Sequence, residues 1–228
     1  MDFPVIFIPI ILLIVGIIIL SAYFSAKRRK ELMLWAQAKG WSFSPEKDHT
    51  FDSRFSAFKL LRQGENRYAH NIIRGIWNER SLIAFDYHYE THSTNSKGHR
   101  QTHHHHFSAV IMESNLPLKP LFIRPEGFFD KITEFFGADD IDFESAEFSR
   151  TFFVKADDRR WAYDVLHART MEFLLQSPRF TIQFDHTHVF AARSGTFKIT
   201  DFQDALGVIK GILDRFPPYL VKQLKGES

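Results

Sequence analysis

Cysteine is absent from this chain of 228 residues. Its absence excludes disulfide bonds, thiolate zinc sites and cysteine nucleophiles. The sequence also lacks a glycine-rich phosphate loop, a dinucleotide-binding fingerprint, the G-x-S-x-G motif of serine hydrolases and the H-E-x-x-H motif of zinc proteases. These absences predict a protein that is not an enzyme and carries no organic cofactor.

An excess of charge of either sign is also missing from most of the chain. Five of the 29 basic residues and two of the 27 acidic residues precede Trp41, so 24 basic and 25 acidic residues lie in the remainder. A nucleic-acid-binding domain needs a concentrated basic surface. The balance therefore argues against a nucleic-acid partner, and no motif points to a small-molecule ligand.

One long segment lacks charge altogether: Val5 to Phe24 reads VIFIPIILLIVGIIILSAYF. Twenty helical residues cover about 30 Å, the thickness of the hydrocarbon core of a bilayer. A cleaved signal peptide is the alternative, but such a peptide carries positive charge before a shorter apolar run. Here the only charged residue before the run is Asp2, which is acidic. The sequence thus predicts that the chain contacts the lipid bilayer through one transmembrane helix.

A basic cluster follows the apolar run and consists of Lys27, Arg28, Arg29 and Lys30. Basic flanks stay on the cytoplasmic side, so we expect a single-pass protein of the cell membrane with its N-terminus outside and its C-terminal domain in the cytoplasm. The same side chains could also contact anionic lipid headgroups.

A helical pattern continues after the cluster and is expected to end at Gly40 in the left-handed conformation. We therefore divide the chain into an anchor with its juxtamembrane helix, residues 1–40, and a phenylalanine-rich soluble domain, residues 41–228.

Phenylalanine is frequent, with 25 residues along the chain, which predicts a core built on aromatic packing. Arg67 to Trp77, Ser81 to Thr91 and Thr102 to Glu113 are rich in β-branched and aromatic residues and predict strands, the last two paired as a long antiparallel hairpin. In the second segment Phe85 and its alternate neighbours are apolar or aromatic, whereas Asp86 and its alternate neighbours are polar or charged. This alternation predicts a half-buried strand.

Helical patterns follow the strands. One is expected from Pro125 to Phe136, and another from Thr200, where Thr200 and Gln203 fit a capping box. No repeat or linker divides residues 41–228. The sequence therefore predicts an α+β protein, in which an N-terminal transmembrane helix precedes one globular domain with an antiparallel sheet and several packed helices.

Four stretches of the sequence carry a resemblance: WAQAKGW, AFDYHY, LPLKPLFIRPE and IDFESAEFSRTF. With these, the chain resembles a group of uncharacterised prokaryotic single-pass membrane proteins that have a C-terminal domain of unknown function. The resemblance covers most of the chain. It implies an architecture and no active site, because no reaction is assigned to the group.

Histidines gather around the predicted hairpin tip, including a run of four at His103 to His106. Residues two apart on a strand share a face, so His104 and His106 could bind Zn²⁺, Ni²⁺ or Cu²⁺ together, with His88 as a cross-strand third ligand. The alternative is a solvated loop that chelates metals only adventitiously, because a loop tip offers no fixed geometry.

Arg124 precedes Pro125 and Glu126 at the expected start of a helix. It could form a functional ion pair with Glu126. The alternative is a local role, since proline and glutamate both favour the first turn of a helix. We single out Arg124 as the first residue to mutate.

These observations favour a membrane-tethered, non-catalytic interaction or scaffold domain that binds a protein partner or a second copy of itself. The alternative is a membrane protein that binds divalent metals through its histidine hairpin. A domain that contacts lipid through its basic cluster is a third hypothesis.

Overall fold

A computed structural model describes residues 3–95, 98–126 and 141–226. The first element is one continuous helix, α1, Phe3–Ala38. It ends at Gly40, whose φ of +69° is the left-handed conformation that glycine adopts without steric cost. From Ile10 to Phe24 the large apolar side chains of α1 are exposed. By length and composition this helix could cross a membrane.

Eight antiparallel strands form one sheet in the spatial order β1-β2-β3-β4-β8-β7-β5-β6. The strands are β1 (Ser42–Ser44), β2 (Glu65–Trp77), β3 (Arg80–Thr94), β4 (Arg100–Glu113), β5 (Leu121–Pro125), β6 (Phe152–Lys155), β7 (Thr181–Phe184) and β8 (His188–Ser194). The predicted long hairpin is β3 and β4, which pair without a register shift from Leu82 opposite Met112 to Thr94 opposite Arg100.

Helices cover one face of the sheet. They are α1 together with α3 (Ala146–Thr151), α4 (Arg159–Val165), α5 (Ala168–Gln176), α6 (Ile199–Leu213) and α7 (Pro218–Lys225). Leu82, Ala84, Val110 and Met112 face these helices in the larger apolar core.

The opposite face is covered by the segment between β1 and β2, which contains α2 (Phe51–Arg54) and a 3₁₀ turn, Lys59–Arg62. Phe51, Phe58, Phe85 and Tyr87 form the centre of a second, aromatic core on this side. The rings of Phe51 and Phe85 lie 4.4 Å apart. Aromatic packing in the core, expected from the phenylalanine content, is therefore present on this face.

Because both faces of the sheet are covered, β3 is more buried than its sequence pattern predicts. The prediction of a half-buried strand was wrong, because Asp86 and His88 are 1% and 3% exposed. The alternation correctly separates the two faces of the strand, but it cannot reveal that a basic helix also covers the polar face.

The two helix starts predicted at Pro125 and Thr200 differ from the structure. Pro125 ends β5 instead of opening a helix, and residues 127–140, which hold the rest of that expected helix, lie outside the described residues. Helix α6 starts one residue before Thr200, and Asp201 accepts a hydrogen bond from the backbone N–H of Lys198 at 2.8 Å in place of the predicted capping box. The α+β class, with an apolar N-terminal helix before an antiparallel sheet and several helices, is confirmed.

Candidate functional site

The juxtamembrane part of α1 is a component of the core. Leu32, Trp35 and Ala36 are almost fully buried among the residues that pack on the sheet. The Trp35 ring stacks on Phe202 of α6 at 5.7 Å and meets Trp41 edge-on at 5.4 Å. The apolar helix therefore continues directly into the folded domain.

The direction of α1 follows from two contacts. Arg28 meets Asp86 in β3, whereas Trp41 lies against Gly75, the residue of β2 that pairs with Leu82 of β3. The helix thus runs antiparallel to β3. Its apolar N-terminal part extends toward the end of the sheet at which β3 turns into β4.

Arg28 and Asp86 form a bidentate ion pair at the point where the helix meets the sheet. The Arg28 Nε donates to Asp86 Oδ2 at 2.8 Å, and Nη2 donates to Oδ1 at 2.6 Å. The third guanidinium nitrogen, Nη1, donates to the Phe197 carbonyl at 2.8 Å. This fork geometry uses the planar guanidinium fully, so a lysine could not replace it.

Two further side chains hold the Asp86 carboxylate from the sheet. Ser108 Oγ donates to Oδ1 at 2.5 Å, and Asn71 Nδ2 donates to Oδ2 at 2.9 Å. Burial alone would raise the pKa of Asp86, but the hydrogen bonds and charge of Arg28, with those from Asn71 and Ser108, lower it below its usual value. Asp86 is therefore a buried, fully partnered carboxylate.

Asn71 reaches Asp86 because β2 is irregular at this point. The register of β2 against β3 shifts between His70 and Ile73, and Asn71 has a φ of +50°. Asparagine tolerates this left-handed conformation better than other non-glycine residues. The bulge turns the Asn71 amide toward the carboxylate.

A cavity of about 220 Å³ lies beside the ion pair. Its lining includes Ser25 and Arg29 of α1, His70 of β2 and His106 of β4. Burial lowers the pKa of His70 despite the opposing charge of Asp86, which favours its neutral imidazole.

The structure divides the predicted basic cluster by role. Arg28 is committed to Asp86, whereas Lys27, Arg29 and Lys30 are exposed. In the folded protein these three side chains are the exposed members of the cluster, available for the expected contact with lipid headgroups.

The predicted metal ligands lie on the same face of the hairpin as Asp86. The structure brings His88 and His104 together, with 3.2 Å between His88 Nε2 and His104 Nδ1. The third group at this point is Glu90, whose Oε1 lies 3.3 Å from His104 Nδ1 and 3.9 Å from His88 Nε2. His106 packs against the His88 ring at 4.8 Å and faces the cavity.

Asn66 holds both inner members of this cluster. Its carbonyl lies 3.2 Å from His88 Nδ1, and its side-chain Nδ2 donates to Glu90 Oε1 at 2.6 Å. The hydrogen bond from Asn66 lowers the pKa of Glu90, and burial lowers the pKa of His88. Asn66 has a φ of +47° beside another register shift of β2.

The other two members of the histidine run point to the opposite face. His105 Nε2 lies 2.7 Å from Thr91 Oγ1, and the His105 ring stacks on Tyr89 at 4.6 Å. His103 Nε2 lies 2.8 Å from Ser93 Oγ. The run of four is thus divided by the period-two geometry of the strand.

Arg124 lies far along the sheet from this site, in β5. It is 5% exposed, and its guanidinium lies over the Phe153 ring at 4.6 Å from the ring centre. Its Nη1 is 3.8 Å from Glu126 Oε2. Arg124 and Glu126 therefore approach each other, and Arg124 also has a packing role.

The sequence does not identify Asp86, Asn71 and Ser108 of the ion-pair network, or Glu90 and Asn66 of the histidine cluster. The alternation of β3 predicts that Asp86 and Glu90 face solvent. A signal was present, since Asp86, His88 and Glu90 share the face of the histidines on β4. Asn66 carries no sequence signal of its own.

Comparisons with known proteins give one likeness of fold. The chain matches no family model and no curated protein. It is similar to the crystal structure of the mycobacterial trehalose monomycolate transport factor A, TtfA, with a TM-score of 0.58 and 11% identity over 83% of this chain and 96% of that one. At that identity the likeness concerns the fold alone. The resemblance to uncharacterised single-pass proteins stays a prediction.

Proposed function

We propose that this chain is a membrane-tethered, non-catalytic interaction module. Its N-terminal helix spans the cell membrane, and its α+β domain lies at the cytoplasmic face and binds a protein partner or a second copy of itself. The observation that carries the proposal is the way in which α1 enters the domain. Arg28 is bonded to buried Asp86 on one side, and Trp35 is packed in the core on the other.

A flexible tether would keep a domain near a membrane without fixing its direction. Here the anchor is a rigid extension of the fold, so the sheet and its hairpin hold one orientation relative to the bilayer. Fixed orientation favours a module that presents one surface to a membrane-bound partner. The neighbour of similar fold is described as a transport factor, which is compatible with a membrane-associated role without catalysis.

The cytoplasmic placement of the domain rests on the exposed charges of Lys27, Arg29 and Lys30. Protease added to intact cells is expected to leave a C-terminal tag uncut, and an alkaline wash is expected to leave the chain in the membrane fraction. Digestion of the tag from outside, or release by the wash, would contradict the placement.

The interaction is tested by cross-linking in intact cells with three full-length chains: wild type, Arg28→Ala and Arg29→Ala. The two arginines are adjacent on α1, but only Arg28 bonds to Asp86. We expect a specific cross-linked species with wild type and Arg29→Ala, and at least a severalfold loss with Arg28→Ala at equal membrane content. A wild-type chain that forms no reproducible cross-link and runs as a monomer in detergent would rule out the module.

A further inference from the structure

The most complete arrangement of metal-ligating groups in the described residues lies on the polar face of the hairpin. It consists of His88, Glu90 and His104. We propose that these three side chains form a labile site for a divalent transition metal such as Zn²⁺. This proposal goes beyond the interaction module and does not rest on it.

The spacing of the three ligand atoms matches zinc geometry. Zinc binds histidine nitrogen and carboxylate oxygen at about 2.0–2.2 Å, so two ligands at the tetrahedral angle lie about 3.3–3.5 Å apart. His88 Nε2 and His104 Nδ1 lie 3.2 Å apart. Glu90 Oε1 lies 3.3 Å from His104 Nδ1 and 3.9 Å from His88 Nε2. Only the distance between Glu90 and His88 has to shorten, and the glutamate side chain can supply that movement.

The orientation of His88 is fixed before any metal arrives. The carbonyl of Asn66 faces Nδ1, so the proton of the neutral ring lies on Nδ1 and the lone pair of Nε2 points to the other two ligands. Tyr68 stacks on the ring at 4.6 Å and limits its rotation. Asn66 also orients Glu90 through its side-chain amide.

The chemistry of the donors selects the class of metal. Two imidazoles and one carboxylate suit Zn²⁺, Cu²⁺ or Ni²⁺, whereas Ca²⁺ and Mg²⁺ prefer sets made only of oxygen. The His104 side chain is 60% exposed, so a fourth position opens to solvent. A site with three protein ligands and an open position differs from the closed four-ligand sites that hold structural zinc. The metal is therefore expected to exchange, and the fold does not depend on it.

The site lies on the same face of β3 as the contact with Arg28 of α1. His88 follows Asp86 on the same face, roughly 7 Å further along β3. It therefore lies nearer the end of the sheet toward which the apolar part of α1 extends. A metal ion bound there would add positive charge to the face that already carries Arg28 and Arg29.

The test measures zinc bound per chain by equilibrium dialysis of the full-length protein in detergent micelles against buffer that contains Zn²⁺. We expect one Zn²⁺ per wild-type chain. Glu90→Gln and His104→Ser should each weaken binding at least about tenfold, and Asn66→Ala, which removes the amide that orients Glu90, about 10- to 100-fold. His103→Ser is the matched control, because it shortens the same histidine run on the opposite face and should leave the affinity unchanged.

A substitution could also lower the stability of the protein by itself. The change in melting temperature that Zn²⁺ causes is therefore measured for each chain against the same chain without Zn²⁺. Zinc should raise the melting temperature of wild type and His103→Ser, and should raise that of Glu90→Gln by clearly less at the same zinc concentration. Adventitious chelation by the histidine run would instead make His103→Ser and His104→Ser equally weak and Glu90→Gln equal to wild type. That outcome, or a wild-type chain that retains no zinc, overturns the proposal. Neither outcome bears on the cross-linking of the interaction module.

Discussion

At the scale of single residues, Asp86 is the residue on which the attachment of α1 to the sheet depends. Its carboxylate is 1% exposed and receives hydrogen bonds from Arg28, Asn71 and Ser108. A buried carboxylate is tolerated only when its charge is paired and its oxygens are satisfied. Removing it leaves an unpaired arginine and two donors without an acceptor.

We therefore expect Asp86→Ala to lower the free energy of unfolding by about 3 kcal/mol. This is the lower end for a broken buried pair, because Arg28 is 26% exposed and water can reach it. Chemical unfolding of the full chain in detergent measures the loss. Arg29→Ala serves as the control and should change stability by less than about 0.5 kcal/mol. Equal stability of the two variants would contradict the assigned role of Asp86.

The pH dependence of the same pair has a defined sign. The folded protein lowers the pKa of Asp86 below its usual value, so the unfolded chain binds its proton more readily. The contribution is fully present above about pH 4, the ordinary pKa of aspartate, and is lost as the pH falls through the lower folded value. Melting curves of wild type and Asp86→Asn should differ at pH 7 and converge toward pH 3. A constant difference would show that the charge of Asp86 does not contribute.

At the scale of elements, the junction between α1 and the sheet depends on a close approach. The Trp41 ring lies directly on Gly75 of β2, and Trp41 Nε1 donates to the Ile76 carbonyl at 3.1 Å. A Cβ on residue 75 would lie 2.1 Å from Trp41 Cδ1. The indole is rigid and could accommodate it only by moving.

Gly75→Ala is thus expected to destabilise the protein by about 1–3 kcal/mol, as overpacking does elsewhere. Gly207 provides the matched control, because a Cβ there meets nothing within 4 Å and the residue lies inside α6. Gly207→Ala should be neutral or stabilising by up to about 1 kcal/mol, since alanine favours a helix. Melting temperatures of the two single variants distinguish the effects. A neutral Gly75→Ala would refute the close contact.

At the scale of the whole molecule, the apolar helix is continuous with a helical segment that belongs to the core of the domain. Leu32, Trp35 and Ala36 lie within 1–40, the part of the sequence expected to form the anchor and its juxtamembrane helix, yet they are packed in the core of the domain. Burying a large apolar side chain such as Leu32 or Trp35 contributes about 1.5–3 kcal/mol, and burying Ala36 contributes less. Their sum is comparable with the lower end of the total stability of an ordinary domain, about 5–15 kcal/mol.

A chain that begins at Trp41 is therefore expected to unfold or aggregate, whereas one that begins at Ser25 keeps Arg28, Leu32 and Trp35 and should fold without detergent. Circular dichroism and size-exclusion chromatography of the two truncated chains check this. A cooperative melt of the shorter chain at the temperature of the longer one would show that the core does not need the helix.

The sequence by itself determined the features that depend on neighbours along the chain. Charge-free Val5 to Phe24 predicted a helix of membrane-spanning length, period-two alternation predicted β3 and β4, and Gly40 predicted the end of α1. The tertiary structure alone decided which groups meet across the fold. Arg28 and Asp86 are 58 positions apart, and Glu90 joins His88 and His104 because the register of β3 against β4 places it opposite His104. Local patterns report conformation and which side chains share a face, whereas burial of a polar face and contacts between distant residues depend on how the elements pack.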